Sequence, residues 1–241
     1  MTGSLSIEEY IARQPALSWR RAILRRLIRV IGFGLLVDIT ITGLENIPDD
    51  GPAILMMNHI SALDPGLCMG AVKHRFVIPM TKIENTYHPV GRFAVWWYGA
   101  YTVDRENVDR KALMNSIALL QSGQLILIAP EGTRQKHGLT RPKEGLTYVA
   151  TKADAVIIPA AISGVQGFVH KWKRLQRPQI HLNFGRAFRF KTDGRSRIPR
   201  DELTTMTEEA MYQLAAAVTD PDLRGVYGDL SKATERYIEF I

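Results

Sequence analysis

The apolar run Ala53–Met57 gives way without a break to Asn58-His59-Ile60-Ser61-Ala62-Leu63-Asp64-Pro65, and few local folds accommodate that junction. A short run of apolar side chains reads as a buried strand. His59 and Asp64 stand five residues apart, too far for one helical face and too near for two separate elements. The spacing predicts a strand ending at Asn58, a tight loop, and a helix starting near Asp64-Pro65, with Ser61 and Asp64 as turn and N-cap residue types. The pair also has a chemistry. A neutral imidazole takes a proton from a hydroxyl when its other ring nitrogen is held, and a nearby carboxylate fixes the tautomer and stabilises the imidazolium that forms. A lone HxxxxD match recurs by chance, however, and the bland alternative is a loop histidine beside a helix cap.

Two further stretches repeat the pattern. Gly99-Ala100-Tyr101-Thr102-Val103-Asp104-Arg105 reads as a short strand ending in an exposed Arg, and Pro130-Glu131-Gly132-Thr133-Arg134 follows the apolar run 125–129. Each strand thus delivers polar groups at its carboxyl end, where open α/β sheets bind ligands. Asp38–Thr42, 76–79, 156–162 and Gln179–Phe184 read as additional strands; 65–72, Pro89–Tyr98, 108–120 and a segment carrying Leu203, Met206, Ala210, Met211, Leu214 and Val218 read as helices. No Ser/Gly/Pro-rich linker or repeat divides the 241 residues, a length suited to a single α/β domain.

These motifs resemble the lysophospholipid acyltransferases of the 1-acylglycerol-3-phosphate acyltransferase type. The family pattern is NHxSxxD, a strand ending in Arg, EGTR after an apolar strand, and a Pro in a further apolar strand. It is matched in order and separation by Asn58 to Asp64, Gly99 to Arg105, Glu131 to Arg134, and Val156-Ile157-Ile158-Pro159, across roughly residues 40–190. The resemblance implies a glycerol-phosphate acyltransferase-like α/β fold: a single-domain mixed sheet flanked by helices. It implies His59 as general base on an acceptor hydroxyl that attacks an acyl thioester directly, with Asp64 orienting it.

By the same resemblance Arg134 binds the acceptor phosphate, for which a planar fork of donors is suited. Glu131 holds that Arg or a glycerol hydroxyl, Gly132 permits close backbone approach or positive φ, and Thr133 supplies a hydroxyl. Lys82 and Arg105 are the second and third phosphate candidates; their plain alternatives are a solvated lysine and a salt bridge with Asp104 or Glu106. Lys143-Glu144-Gly145 resembles a KxG element and reads as the start of the next helix. No cofactor is implied beyond acyl-CoA or acyl-carrier protein as co-substrate, and the acceptor is lysophosphatidic acid.

The net charge of +7, from 31 Lys and Arg against 24 Asp and Glu, favours an anionic partner. Residues 13–37 hold six Arg and no acidic residue. At 100° per residue Arg21, Arg25 and Arg29 form one stripe while Ile23, Leu24, Leu27, Val30 and Ile31 cluster on the other side. Such a basic amphipathic helix lies in the plane of lipid headgroups, and no apolar run reaches the ~18 residues that span a bilayer. The competing reading is a helix packed on its own domain. Residues 1–37 are thus expected to form a membrane-association segment and 38–241 the catalytic domain, placing the protein on the cytoplasmic face of an anionic membrane. A second basic region runs from Lys171 to Arg200, with Asp193 as its one acid.

One cysteine rules out an internal disulfide framework, and Cys68 reads as a small buried helix residue. Trp96 and Trp97 suggest the wall of an acyl pocket, but adjacent helical side chains diverge by about 100°, which favours core packing. His74 and His88 lack partners at metal-ligand spacing. Four functions compete: the lysophosphatidate acyltransferase, an acyltransferase with another lysophospholipid acceptor, a thioester hydrolase, and a non-catalytic lipid- or nucleic-acid-binding protein. A positioned base argues against the last, because electrostatic attachment requires none. The phosphate-binding cations suit a phosphorylated acceptor better than water, and nucleic acid is not an expected partner.

Overall fold

A computed structural model describes residues 6–82, 87–103 and 110–241. Its centre is a mixed sheet in the order β1-β7-β6-β2-β5-β3-β4, with β8 on β6 and β9 on β8. The strands are β1 Asp38–Thr42, β2 Ala53–Met57, β3 Val77–Lys82, β4 Tyr101–Val103, β5 Leu125–Ile128, β6 Val156–Ser163, β7 Gln179–Phe184, β8 Phe188–Phe190 and β9 Ile238–Phe240. β6, β2, β5, β3 and β4 run parallel, whereas β7 and β8 pair antiparallel with β6. Every residue of β2, β5 and β6 is buried, as parallel strands covered on both faces require; β1 and β7, at the side of the sheet, alternate. The anticipated mixed sheet flanked by helices is the observed one. The pairing of β8 with β9 was not foreseen, because three-residue strands carry too little pattern.

Pro159 lies in the middle of β6, where a missing N–H normally breaks a ladder. The break falls where no donor is needed. β7 ends at Phe184 opposite Ala160, β8 begins at Phe188 opposite Ile157, and the Gly185 N–H between them donates to the Pro159 carbonyl at 2.8 Å.

The helices are α1 Ile7–Ala12, α2 Gln14–Leu27, α3 Asp64–Ala71, α4 Pro89–Tyr98, α5 Arg110–Gln121, α6 Gly145–Ala153, α7 Phe168–Lys173 and α8 Arg200–Ala217, and a π-helical segment, Ile28–Leu36, continues α2. α5, α6 and α8 pack together through Leu119, Leu120, Leu146, Val149, Met206, Met211 and Leu214, all in the core. α2 and the π-helical segment lie across α3 and α4. Gly70 permits this approach, since a Cβ there would stand 2.5 Å from the Ile28 side chain and 2.7 Å from Phe33.

The amphipathic pattern of residues 13–37 is present, with its apolar face outward. The arginine stripe faces the protein. Arg21, 1% exposed, donates Nε to the Tyr98 carbonyl at 3.0 Å and Nη2 to Gly99 at 3.2 Å. Arg25 reaches the carbonyls of Val72, Lys73 and Arg75, and Arg29 that of Gly70. The carbonyls of Tyr98, Gly99, Gly70 and Val72 end α4 and α3, and those of Lys73 and Arg75 lie in the turn beyond α3. A helix terminus leaves carbonyls without intrahelical partners at the negative end of its dipole, which a guanidinium satisfies in both hydrogen bonding and charge. Consequently Trp19, Ile23, Leu27, Val30, Ile31, Leu35 and Leu36 are left exposed.

α4 also departs from expectation. Trp96 is exposed rather than packed in the core, and it joins Trp19, Trp97 and Phe93 in a cluster of rings around the Arg20 guanidinium, which lies 4.8 Å from the Trp96 centroid. Among the described residues no helix is long and apolar enough to cross a membrane.

Candidate active site

The carboxyl ends of β2, β5 and β3 open on one side of the sheet, and the chain leaving β2 there carries the histidine. Asn58 fixes its departure. The β2–β6 ladder ends at Met57 opposite Ala160, and the buried Asn58 side chain continues it, donating Nδ2 to the Ile162 carbonyl at 2.8 Å and accepting the Ile162 N–H at 2.7 Å. His59 therefore leaves the strand in a fixed direction.

Asp64, the first residue of α3, is 0% exposed. Its Oδ2 lies 3.0 Å from His59 Nδ1 and accepts the N–H groups of Ile60 at 2.6 Å and Ser61 at 2.7 Å. The loop between the two residues thus wraps its own carboxylate, and Asp64 acts inside the loop rather than as the expected N-cap, a position Leu63 occupies. With Nδ1 held, Nε2 is the ring nitrogen left for a substrate. The His59 side chain is 18% exposed, on the wall of a polar cavity of about 170 Å³ shared with Thr133 and Arg134 and floored by Met57, Pro79, Met80, Thr81, Leu127 and Ala129.

The EGTR segment is a tight turn built on the end of β5. Gly132 N–H donates to the Ala129 carbonyl at 3.0 Å, and Gly132 has φ +73°, a conformation that favours glycine. The N–H of Gln135, the residue after Arg134, donates to the His59 carbonyl at 2.6 Å, tying the arginine's turn to the histidine's loop. Thr133 and Arg134 are exposed at the cavity.

Glu131 points elsewhere. It is buried, its Oε1 accepts the Thr140 N–H at 2.7 Å and hydroxyl at 3.2 Å, and burial raises its carboxyl above the ordinary value against the lowering effect of those bonds. It makes no ion pair with Arg134 among the described residues, and through Thr140 it pins the loop that follows. Lys143 precedes α6 as anticipated, yet its side chain lies over the turn, with Cε 3.4 Å from where a Cβ of Gly132 would stand.

Of the other two phosphate candidates, Lys82 closes β3 on the same side of the sheet, its side chain lying outside the described residues, as does the whole of Arg105. Pro159 is in the sheet, away from the cavity lining. Cys68 is fully buried on α3, and burial followed by the Asp64 charge raises its thiol. The sequence pattern missed Asn58 as the strand anchor, Thr140 as the partner of Glu131, and the C-terminal residues Leu223 and Val226, which exchange backbone bonds with Leu139 and brace the same loop. Only Asn58 carried a local signal, as the residue at which an apolar strand turns polar.

The family described as Acyltransferase matches residues 38–163. The 1-acyl-sn-glycerol-3-phosphate acyltransferase alpha of Ovis aries is 30% identical over 156 residues, covering 63% of this chain and 54% of that protein. The 1-acyl-sn-glycerol-3-phosphate acyltransferase of Borreliella burgdorferi is 32% identical over 138 residues, 56% of this chain and 55% of that protein. The chain spans about half the length of the curated relatives it matches. The crystal structure of the 1-acyl-sn-glycerophosphate (LPA) acyltransferase PlsC from Thermotoga maritima superimposes with a TM-score of 0.60 over 82% of this chain and 79% of that one, at 23% identity, a likeness of fold.

Proposed function

Because the chain belongs to the acyltransferase family, we propose that it transfers a fatty acyl group from acyl-CoA or acyl-carrier protein to the free hydroxyl of 1-acylglycerol 3-phosphate, forming phosphatidic acid. The observation that carries this reading is the shared cavity: a histidine held at Nδ1 by Asp64 and an exposed arginine line the same wall. The names of the relatives supply the acceptor class.

In this mechanism the Arg134 guanidinium, with Lys82 and Arg105 as further cations, receives the phosphate and sets the glycerol hydroxyl beside His59 Nε2. Nε2 takes the hydroxyl proton as the oxygen attacks the thioester carbonyl carbon. The tetrahedral oxyanion collapses, the carbon–sulfur bond breaks, and the thiolate leaves with the proton from the imidazolium. Asp64 keeps the proton of Nδ1 in place and stabilises the transient cation. The thioester is already activated, so neither an acyl-enzyme nor a cofactor is required.

The outward apolar face of α2 and the π-helical segment supports association with one leaflet of a membrane, where both acceptor and product reside.

The test is a purified-protein assay with radiolabelled palmitoyl-CoA against a panel of lysolipids, followed by separation of the products. Labelled phosphatidic acid formed with lysophosphatidate is the expected result. Free palmitate as the main product, or preference for a lysolipid with a larger headgroup, would overturn the assignment.

A further inference from the structure

We propose that α7 and the turn after it form a second lipid-contact element, remote in sequence from α2, that seats the active-site end of the sheet on an anionic bilayer. This rests on the membrane-association reading above and adds a site to it. α7 follows β6, which runs parallel to β2, so it emerges at the same end of the sheet as His59.

The segment is fastened to the body. Trp172 Nε1 donates to the Leu36 carbonyl at 2.8 Å, and the Arg177 guanidinium donates to the carbonyls of Phe33 and Val37. Its tip presents apolar side chains to water. Leu175 is 96% exposed and sits at φ +54°, in the left-handed region that a leucine enters at a cost. Bonds from the N–H of Leu175 to Trp172 and of Gln176 to Lys171 hold it there. Val169 is half exposed on the preceding helix.

Around this tip stand Lys173 and Arg174, both exposed, whose side chains make no hydrogen bond or ion pair among the described residues. Farther along the basic region Arg195 is held by Glu202 at 2.8 Å and Arg189 and Arg200 lie near Asp154 and Glu144, while Lys191 and Arg197 share the unpaired state of Lys173 and Arg174 among the described residues. An apolar tip beside two cations that are unpaired among the described residues fits the boundary between acyl chains and anionic headgroups, where each cation adds attraction and the leucine leaves water. Trp172, three residues before Leu175, adjoins the larger apolar face, because it is bonded to the Leu36 carbonyl and lines one apolar cavity with Leu27, Ile31 and Leu36. An acidic protein such as an acyl carrier would use the cations but has less use for the leucine.

The experiment compares full-length wild type with Lys173→Gln/Arg174→Gln and with Leu175→Ser. Each is tested for binding to phosphatidylcholine vesicles with and without phosphatidylglycerol, and for transfer within a soluble pair, from a short-chain acyl-CoA to a monomeric, water-soluble short-chain lysophosphatidate. Expected are about tenfold or more weaker binding of the double variant to anionic vesicles, abolished as a difference at high salt, and weaker binding of Leu175→Ser at every salt. Turnover on the soluble pair and the melting temperature should be unchanged. Wild-type affinity in both variants, with Leu35→Glu still releasing the protein, would overturn the α7 assignment and leave the larger face standing. A wild type that binds no vesicle would overturn both. Unaltered vesicle binding with a raised Michaelis constant for acyl-carrier protein alone would also overturn it, in favour of a protein partner. Loss of turnover on the soluble pair by wild type itself would instead reject the transferase reading.

Discussion

Asp64 holds His59 and the loop joining them with one oxygen: Oδ2 lies 3.0 Å from His59 Nδ1 and 2.6 Å and 2.7 Å from the N–H groups of Ile60 and Ser61. Loop shape and histidine orientation therefore share one cause. His59→Ala should lower turnover by about 10²–10⁴-fold with an unchanged circular dichroism spectrum. Asp64→Asn keeps an acceptor for the two N–H groups but no longer fixes the tautomer, so turnover should fall at least about 10²-fold while the protein stays folded. Steady-state kinetics on both variants decide the matter, and normal turnover in His59→Ala would remove the general base.

Arg134 stands exposed at the cavity on a turn tied through Gln135 to the His59 carbonyl. Arg134→Ala should raise the Michaelis constant for a phosphate-bearing acceptor by about ten- to a hundredfold, the loss of a charge-assisted pair. The constant for the acyl donor should change far less. Equal effects on both substrates would place the arginine elsewhere in the mechanism.

Glu131 gives a prediction in pH. Burial raises its carboxyl above the ordinary 4.5, so the folded chain binds this proton more tightly than the unfolded chain. Its contribution to stability is full below about pH 4.5 and declines as pH rises through the raised value. Glu131→Gln keeps the acceptor for Thr140 and has nothing to ionise. Its melting temperature relative to wild type should therefore climb between pH 4.5 and neutrality, measured by calorimetry. A gap that stays constant or narrows would mean the carboxyl is not strained by burial.

The inward arginines change how the amino-terminal segment has to be tested. Deleting residues 1–36 would strip the carbonyls at the ends of α3 and α4 of Arg21, Arg25 and Arg29, so lost lipid binding would be confounded with lost stability. Arg21→Met should cost about 1–3 kcal/mol in denaturant unfolding, a loss expected of a structural cap and not of a headgroup ligand. Leu35→Glu, at a site 68% exposed, should leave stability within about 0.5 kcal/mol and weaken vesicle binding. Vesicle affinity lost in Arg21→Met with full stability would make the arginine a headgroup ligand instead.

What the sequence determined by itself was whatever depends on neighbours along the chain. The apolar runs of β2, β5 and β6 read as buried strands, because a short strand covered on both faces has no polar face to alternate with. The histidine and the aspartate were legible as a pair because the loop that joins them is also the loop that aligns them. The EGTR turn was legible for a similar reason, since Gly132 answers a backbone requirement at its own position.

Tertiary structure decided everything that depends on what lies across space. Spacing placed Arg21, Arg25 and Arg29 on one stripe, but periodicity does not say whether water or a neighbouring helix end satisfies them; the unpaired carbonyls of α3 and α4 do. Glu131 belongs to a motif whose Thr133 and Arg134 line the cavity, and only the fold brings Thr140 close enough to take its carboxylate inward. Asn58 and Ile162 are 104 residues apart, and no local pattern links them. The sheet brings them together, because β2 and β6 are neighbours in space and not in sequence.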